Sequence, residues 1–543
     1  MISSATPHRR AAALLPMLLL ASSCSSVENN STTLAAEQRL VIGYSSDVSS
    51  LDPVQAPNVC FPDPVVDNVF DGLYRIDDQL HEVPDLATGM PDVAPDQKTY
   101  KFHLRRGVRF SNGDPFTARD VGYSWSRSAV AFAKGGGSGD YWPVAGYGDV
   151  AAGKATALSG VDVADAYTLT VQLAHPAAHW LAALALPLYD VVDQRAIESK
   201  GENWWQTADG LIGTGPFRMT GRDPGNSLDF EPVPNWWGGS TGALRHVRVV
   251  IRHDLAQEYQ SGSIDYIGAP GSVCERDLSR QLVLQLLHHN GGSAADVHFG
   301  AATGTFFVRF GSSGPLAGAA GKAGRIALSQ AIDRAQLVKK VYVTAVPATG
   351  GPIASALRGY LGAMADPFAR FDPAAARARY REWDPDGSKA RLLSYVYNLN
   401  DLNEAVAREL QTQWRDNLGI NVELKPVDGP TFFGIASENK YALARFGWTA
   451  DYDDPQDWLY NTDLNLVTPD ETTLLDLARV ADSQSPSAGM ATYRDVGRGF
   501  VGDAVAISLV YARLPYIVKS YVRGAGETGF SEYPWTGVSI LAH

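Results

Sequence analysis

The length of this chain is the feature that most constrains its fold, because 543 residues cannot pack around one core. Single hydrophobic cores stop growing at about 250–300 residues, so the sequence predicts at least two lobes. Strand-like and helix-like stretches alternate along the whole chain. This alternation is typical of an α/β or α+β protein with mixed sheets.

Local residue patterns predict individual elements. Tyr100, Phe102 and Leu104 occur at every second position, as on a half-buried strand. Thr117 and Asp120 have the spacing of a capping box, which predicts a helix that begins after Thr117. Farther along, apolar residues recur every four positions and predict a helix that ends at a glycine: Val406, Leu410, Trp414, Leu418 and Gly419.

The N-terminal segment has the layout of an export signal. Basic residues at 8–10 precede an apolar run at 11–21, and Cys24 follows two serines. That run is too short to span a bilayer, which takes roughly 20 residues. We therefore expect a signal peptide at 1–23, lipidation of Cys24 as in lipoproteins, and a flexible tether at 24–37. Plain secretion without a lipid is the alternative.

Charge and cysteine content restrict the environment of the protein. A net charge of −13 argues against binding nucleic acid, which requires a basic surface. It also argues against adhesion of the folded body to anionic lipid. Besides Cys24 the chain has only Cys60 and Cys274. In an oxidising compartment these two form either a disulfide or two separate buried thiols.

One dense group of ionisable residues is a candidate for chemistry. Four aspartates lie within residues 451–457. They suit a general acid/base pair, a calcium loop or a clamp for a cationic ligand group. Pro455 and the lack of a central glycine argue against the calcium loop, and no nucleophile or base adjoins the group. The neighbouring Trp448 and Tyr452 favour an aromatic-walled pocket that holds one negative charge.

We find no metalloprotease His-Glu-x-x-His motif and no Cys-x-x-Cys motif in the sequence. We therefore expect no enzymatic activity, no cofactor and no metal site. A peptidase that uses the aspartates remains a distant alternative.

Ten short motifs follow one another in a characteristic order. They include Ser-Leu-Asp-Pro at 50–53, Gly-Thr-Gly-Pro-Phe at 213–217 and Gly-Trp-Thr-Ala-Asp-Tyr-Asp-Asp-Pro at 447–455. The other seven lie at 68–74, 84–88, 98–110, 114–121, 234–238, 261–265 and 327–338. From about residue 38 to the C-terminus, the chain thereby resembles the family 5 extracellular solute-binding proteins, the oligopeptide and dipeptide receptors of ABC importers.

The resemblance implies an α/β, two-lobed, periplasmic-binding-protein-like fold of class II, large cluster C type. An extra subdomain at 76–185 is inserted in the first lobe. Lobe 1 is discontinuous and is expected to comprise 38–75, 186–299 and 501–543, whereas lobe 2 spans 300–500. In this family the lobes close over the ligand about a hinge.

The resemblance also implies a function and a site. The expected function is to bind short peptides outside the cell membrane and to deliver them, as a lipid-anchored monomer, to the permease subunits. Asp451 is expected to bind the peptide's α-amino group, and Arg445 to lie near its carboxylate. Backbone groups that pair with an extended peptide are expected at Gly447, Trp448 and Thr449 in one lobe and at Asn58, Val59 and Cys60 in the other.

Several alternatives remain open. Asp451 could instead cap a local turn or pair internally with Arg445. The same fold could bind a metal chelate, haem, an opine or a sugar, although such relatives generally lack an aspartate at this position. An adhesin or a sensor without an importer is a further possibility.

Overall fold

The computed structural model describes residues 32–54, 64–135, 137, 139–268, 296–342, 345–461, 470–526, 530 and 534–543. The predicted residues Cys24, Asn58, Val59, Cys60 and Cys274 lie outside this part of the chain. The α-helices of the described part are α1 (Pro64–Val69), α2 (Ala118–Lys134), α3 (Tyr147–Ala151), α4 (Trp180–Ala183), α5 (Gln194–Lys200), α6 (Leu255–Gln260), α7 (Gly318–Gln330), α8 (Arg334–Leu337), α9 (Pro373–Trp383), α10 (Asp401–Leu418), α11 (Gly429–Ser437), α12 (Pro455–Asn461), α13 (Asp470–Asp482) and α14 (Pro486–Gly502).

The strands form one large sheet and three small ones. In the described part of the chain they are β1 (Arg39–Tyr44), β2 (Tyr74–Ile76), β3 (Glu82–Pro84), β4 (Asp92–Val93), β5 (Thr99–His103), β6 (Val161–Asp165), β7 (Thr168–Gln172), β8 (Phe217–Asp223), β9 (Ser227–Pro232), β10 (His246–Ile251), β11 (Tyr266–Ile267), β12 (Val297–Phe310), β13 (Val346–Pro347), β14 (Ser394–Asn398), β15 (Glu423–Val427), β16 (Leu443–Thr449), β17 (Ala506–Val518), β18 (Val522–Arg523) and β19 (Ser539–Ile540). No helix in these ranges is long and apolar enough to cross a membrane.

The large sheet runs through both halves of the molecule, in the order β15-β14-β16-β12-β17-β11-β1-β10-β9-β8, with β13 attached to β17. The long strands β12 and β17 pair from Val297 opposite Ile517 to Arg309 opposite Ala506, with irregular registers on the way. At its far end β17 also pairs with β11. These two strands therefore join the two ends of the sheet.

Each end of the sheet has its own hydrophobic core. At one end, Leu40 and Val247 pack with Trp535 near the C-terminus. At the other end, Val308 of β12 packs against Trp414 of α10, while Phe307 packs on the opposite face of the sheet. The two-lobed α/β fold is thus confirmed. The predicted boundaries of the lobes stay predictions, and β17 contributes residues to both cores.

A separate four-stranded sheet, ordered β4-β5-β7-β6, and helix α2 belong to a third unit, the inserted unit, whose core also contains Trp142 and Trp180. Its core is built from aromatic side chains in edge-to-face contact, among them Phe102, Trp125 and Trp180. Leu80, between β2 and β3, is buried in the cluster that contains Phe307 and Ala450. Side chains of the inserted segment therefore approach the residues that follow β16.

The local predictions for this region are confirmed. Tyr100 and Phe102 are the buried residues of β5, and α2 begins after Thr117, whose backbone N–H donates to Asp120 at 2.7 Å. The apolar stripe of α10 is buried, and Gly419 ends that helix with φ +75°, where glycine is favoured.

Candidate functional site

Strand β16 has an open edge. It pairs with β12 from Leu443 to Thr449 on one side, but with β14 only at Leu443 and Ala444 on the other. The next residue along the chain, Ala450, donates its N–H to Thr303 at 3.1 Å, so its backbone faces β12. Because backbone direction alternates along an antiparallel strand, the carbonyl of Arg445 and the backbone groups of Gly447 and Thr449 face the open edge.

Gly447 is required by close packing on this strand. A Cβ at this position would lie 2.2 Å from Cδ1 of Phe306, on the neighbouring strand β12. That ring is stacked on Tyr342 and has little freedom to move away. The glycine therefore lets β16 pass close to the aromatic face of the lobe.

Asp451 follows the end of β16, and a hydrogen bond from its backbone N–H fixes its position. Its N–H donates to Oδ2 of Asp457 at 3.1 Å, and the indole N–H of Trp448 donates to the same oxygen at 2.9 Å. The fully buried Asp457 carboxylate thus fixes the turn between the strand and helix α12. The side chain of Asp451 takes no part in these two hydrogen bonds.

The side chain of Asp451 meets the inserted unit. The hydroxyl of Tyr141 donates to Oδ2 of Asp451, and no basic side chain in the described part of the chain pairs with this carboxylate. Burial raises the pKa of Asp451 to about 6, although the Tyr141 hydrogen bond lowers it. The site therefore contains a carboxylate that lacks a counter-cation.

The other three aspartates of the group have internal partners. Asp453 pairs with Nε of Arg358 at 3.0 Å, and Asp454 accepts the N–H of Gln456 at 2.9 Å, at the start of α12. Asp457 is engaged as described above. In the sequence the four aspartates form one group. In the structure three of them make contacts that stabilise the local fold, whereas Asp451 does not.

Arg445 does not pair with Asp451. Its guanidinium lies over the ring of Phe306, 5.2 Å from the centroid. Burial lowers its pKa, and this effect is partly offset by Tyr342 and Tyr395. Among the described residues neither Arg445 nor Asp451 has an ion-pair partner, and these two charges of opposite sign lie at the two ends of the open edge of β16.

Sequence reasoning missed Tyr141. It lies in the short 3₁₀ turn Gly139–Tyr141, and its ring meets that of Tyr452 edge to face, with centroids 6.0 Å apart. The only local signal was the glycine loop that precedes it. Among the described residues, no group of three or more His, Cys, Asp or Glu side chains is arranged to hold a metal ion.

In this chain the open edge of β16 ends at the Asp451 carboxylate, which faces the inserted unit. Two lobes that share a sheet and flank such a site are typical of two-lobed ligand-binding proteins. The family described as bacterial extracellular solute-binding proteins, family 5 (middle), matches residues 82–466, and the chain belongs to this family.

Individual relatives extend this similarity. The periplasmic oligopeptide-binding protein OppA of Escherichia coli K12 is 27% identical over 440 residues, which cover 78% of this chain and 77% of OppA. OppA of Salmonella typhimurium LT2 is 26% identical over 515 residues and 90% of each chain. The unliganded open form of the murein tripeptide-binding protein MppA superposes with a TM-score of 0.78, at 23% identity over 95% of this chain and 99% of MppA.

Proposed function

We propose that this chain is the extracytoplasmic substrate-binding component of an ABC importer, and that it binds short peptides between its two lobes and delivers them to the permease subunits. The relatives named above include receptors for oligopeptides and for a murein tripeptide. The family membership supports a binding protein and not an enzyme.

The Asp451 carboxylate, which has no cationic partner in the part of the chain that the structure describes, is the observation that carries this proposal. A half-buried carboxylate with only one hydroxyl partner is costly until a cation joins it. Every unmodified peptide has an ammonium group at one end, whatever its side chains. One fixed aspartate therefore serves peptides of many sequences.

The open edge of β16 supports an extended ligand. A peptide laid along Arg445, Gly447 and Thr449 would add one strand to the sheet and pair through its main chain. With its ammonium at Asp451, it would run antiparallel to β16. Its carboxyl end would then approach Arg445, whose planar guanidinium suits a carboxylate. Trp448 would wall the pocket, and Tyr141 would close it from the inserted unit.

Calorimetry tests this proposal on protein that has been stripped of carried-over ligand. We expect Ala-Ala-Ala to bind, and N-acetyl-Ala-Ala-Ala to bind much more weakly because it has no ammonium. Asp451→Asn keeps the shape of the side chain and should cost the free peptide about 2–5 kcal/mol of binding free energy. An Asp451→Asn variant that binds Ala-Ala-Ala like the wild type would contradict the role of this carboxylate.

Other ligands would give different results in the same measurements. Failure of Ala-Ala-Ala and of a mixed tri- to pentapeptide pool to bind would favour a metal chelate, haem, an opine or a sugar, and a new absorbance band on mixing would identify haem. Turnover of a fluorogenic peptide that disappears in Asp451→Asn would indicate a peptidase.

The proposal also covers the anchoring of the protein to the membrane and the residues of lobe 1 that contact the ligand. We propose that Cys24 is lipidated and anchors the monomer to the membrane, and that Asn58, Val59 and Cys60 present backbone groups from lobe 1. Mass spectrometry of the mature protein tests the lipid. The same experiment, before and after reduction, tests a Cys60–Cys274 disulfide.

A further inference from the structure

His179 is a buried histidine whose two ring nitrogens both face hydrogen-bond acceptors. Nδ1 lies 2.6 Å from Oδ1 of Asp482, the last residue of α13. Nε2 lies 2.8 Å from the carbonyl oxygen of Asp140. An acceptor on each side requires a proton on each nitrogen, which only the charged imidazolium provides. The side chain is 1% exposed, so it does not reach solvent.

His179 contacts the chain neighbour of each member of the Tyr141–Asp451 pair. Asp140, whose carbonyl it binds, immediately precedes Tyr141 in the chain. Its ring stacks on Tyr452, the residue after Asp451, with centroids 6.1 Å apart and an interplanar angle of 19°. The imidazole therefore contacts the backbone that carries the hydroxyl and the side chain that adjoins the carboxylate.

The segment around His179 is also fixed to the second lobe by its backbone. The N–H of Ala178 donates to the carbonyl of Asp482 at 3.0 Å, and the N–H of His179 donates to its carboxylate at 3.2 Å. Asp482 is 7% exposed. The pair is thus buried at the contact between the inserted unit and helix α13.

We propose that the His179 imidazolium is a positioning residue of the ligand site: it holds the Tyr141 hydroxyl and the Asp451 carboxylate in register without touching the ligand. This inference rests on the proposed function. His179 lies outside the pocket, and it would fix the geometry in which Asp451 binds the peptide ammonium.

The charged groups around His179 favour its protonated form. Asp482 lies against Nδ1, Asp454 lies nearby in the segment after β16, and the Tyr452 hydroxyl is bonded to Gln456. The cation Arg358 pairs with Asp453, and its charge also lowers the pKa of Asp454. Burial lowers the pKa of His179, but the hydrogen bond and the charge of Asp482 raise it more, and the net shift is upward.

The sign of the pH effect follows from this shift. Below the raised pKa both ring nitrogens donate, and the register is held. As the pH rises through it, one donor is lost, so either Asp482 or the Asp140 carbonyl loses its partner. We therefore expect alkaline pH to loosen the contact between the inserted unit and the segment at 451–454.

The test uses His179→Gln, which has one amide donor group and does not titrate, and His175→Gln as the matched control. His175 is exposed on the same loop, and its Nδ1 lies 3.2 Å from the carbonyl oxygen of the adjacent Pro176. Calorimetry measures the Kd of Ala-Ala-Ala and of N-acetyl-Ala-Ala-Ala at about pH 6.5, the ordinary pKa of histidine and so below the raised one, and at about pH 8.5. Thermal unfolding checks that both variants are folded.

For Ala-Ala-Ala we expect His179→Gln to raise the Kd about tenfold at the lower pH, the effect of one charged hydrogen bond. We expect little change for the acetylated peptide or in His175→Gln. Deprotonation of the peptide amine weakens binding equally in all proteins, so the wild type should lose more affinity at the higher pH than His179→Gln does. Equal losses for both peptides with an unchanged pH ratio would overturn the positioning role.

A ligand-free measurement separates this inference from the proposed function. NMR of ¹³C-labelled aspartate carboxyls in the empty protein should show a different Asp451 titration in His179→Gln than in the wild type, because Tyr141 is no longer held. If no peptide binds but this titration moves, the proposed function fails and the positioning role stands. An unchanged Asp451 titration overturns the positioning role.

Discussion

At the scale of single residues, the cost of burying charge is concentrated on Asp451. Asp453 has Arg358 and Asp454 has a backbone N–H, whereas Asp451 receives one hydroxyl hydrogen bond. Burial without a cation favours the protonated carboxyl. A ligand ammonium would favour the ionised form, so ligand binding and proton release are linked at this residue.

We expect peptide affinity to fall as the pH decreases below about 6, the pKa to which burial raises Asp451. Above this value the carboxylate is already ionised and meets the ammonium directly. Below it the proton must first leave, so each further pH unit reduces the association constant by up to about tenfold. Calorimetry with Ala-Ala-Ala from about pH 4.5 to 7.5 measures the profile.

The control for this profile is Asp495→Asn. The Asp495 side chain is 72% exposed on α14 and pairs with Arg498 on the same helix, so its removal should leave the midpoint in place. A flat profile in the wild type would show that the ligand does not use the ionised form of Asp451.

Gly447→Ala should destabilise the protein through crowding. The added Cβ would lie 2.2 Å from Phe306, and the ring would have to leave its stack on Tyr342. Overpacking of this kind costs about 1–3 kcal/mol, which urea unfolding measures. Gly434→Ala is the matched control, because a Cβ there meets nothing within 4 Å and lies in helix α11. It should be neutral or stabilising by about 0.5–1 kcal/mol; equal losses in both variants would contradict the crowding argument.

At the scale of elements, the sequence predicted what local periodicity reports. Helix α10 and strand β5 have the apolar faces that their spacing indicates, and the capping box at Thr117 begins α2. Periodicity identifies the buried face of an element, but it does not indicate which distant turn will lie opposite that element. The Tyr141 contact to Asp451 joins residues 310 positions apart, so no local pattern could have predicted it.

The sequence likewise could not predict which of the four aspartates have internal partners. Their roles depend on hydrogen bonds between the end of β16 and the start of α12. The aspartate group beside Trp448 and Tyr452 predicted a pocket that holds one negative charge, and the family resemblance singled out Asp451. The partner of each remaining carboxylate emerged only from the fold.

Asp457→Ala should disrupt the junction between β16 and α12. One carboxylate oxygen accepts both the indole N–H of Trp448 and the backbone N–H of Asp451, and each donor left unpaired on burial costs about 1–3 kcal/mol. We expect a loss of stability in urea unfolding and weaker binding of Ala-Ala-Ala, because the Asp451 backbone is released. Asp428→Ala removes only an exposed helix cap on α11 and should leave binding unchanged. Wild-type affinity in a folded Asp457→Ala variant would contradict this account.

At the scale of the whole molecule, one sheet serves two cores. Strands β12 and β17 carry the hydrogen-bond network from one lobe to the other, and their pairing is irregular near Phe299 and Ala302. Such irregularities bend a strand and weaken its pairing locally. We infer that relative motion of the lobes is concentrated there, whereas the cores on either side move as units.

Because each lobe has its own core, we expect calorimetric unfolding to show contributions from both. A ligand bound to only one lobe would stabilise only that lobe. A peptide held between the lobes must leave before either lobe unfolds, so Ala-Ala-Ala at about 100 times its Kd should add about 2.7 kcal/mol to the first unfolding step, whichever lobe unfolds first, and bring the two transitions closer together. N-acetyl-Ala-Ala-Ala at the same concentration should move neither. If Ala-Ala-Ala raises only the later transition and leaves the earlier one in place, the ligand contacts only the more stable lobe, and a site enclosed by both lobes would have to be abandoned.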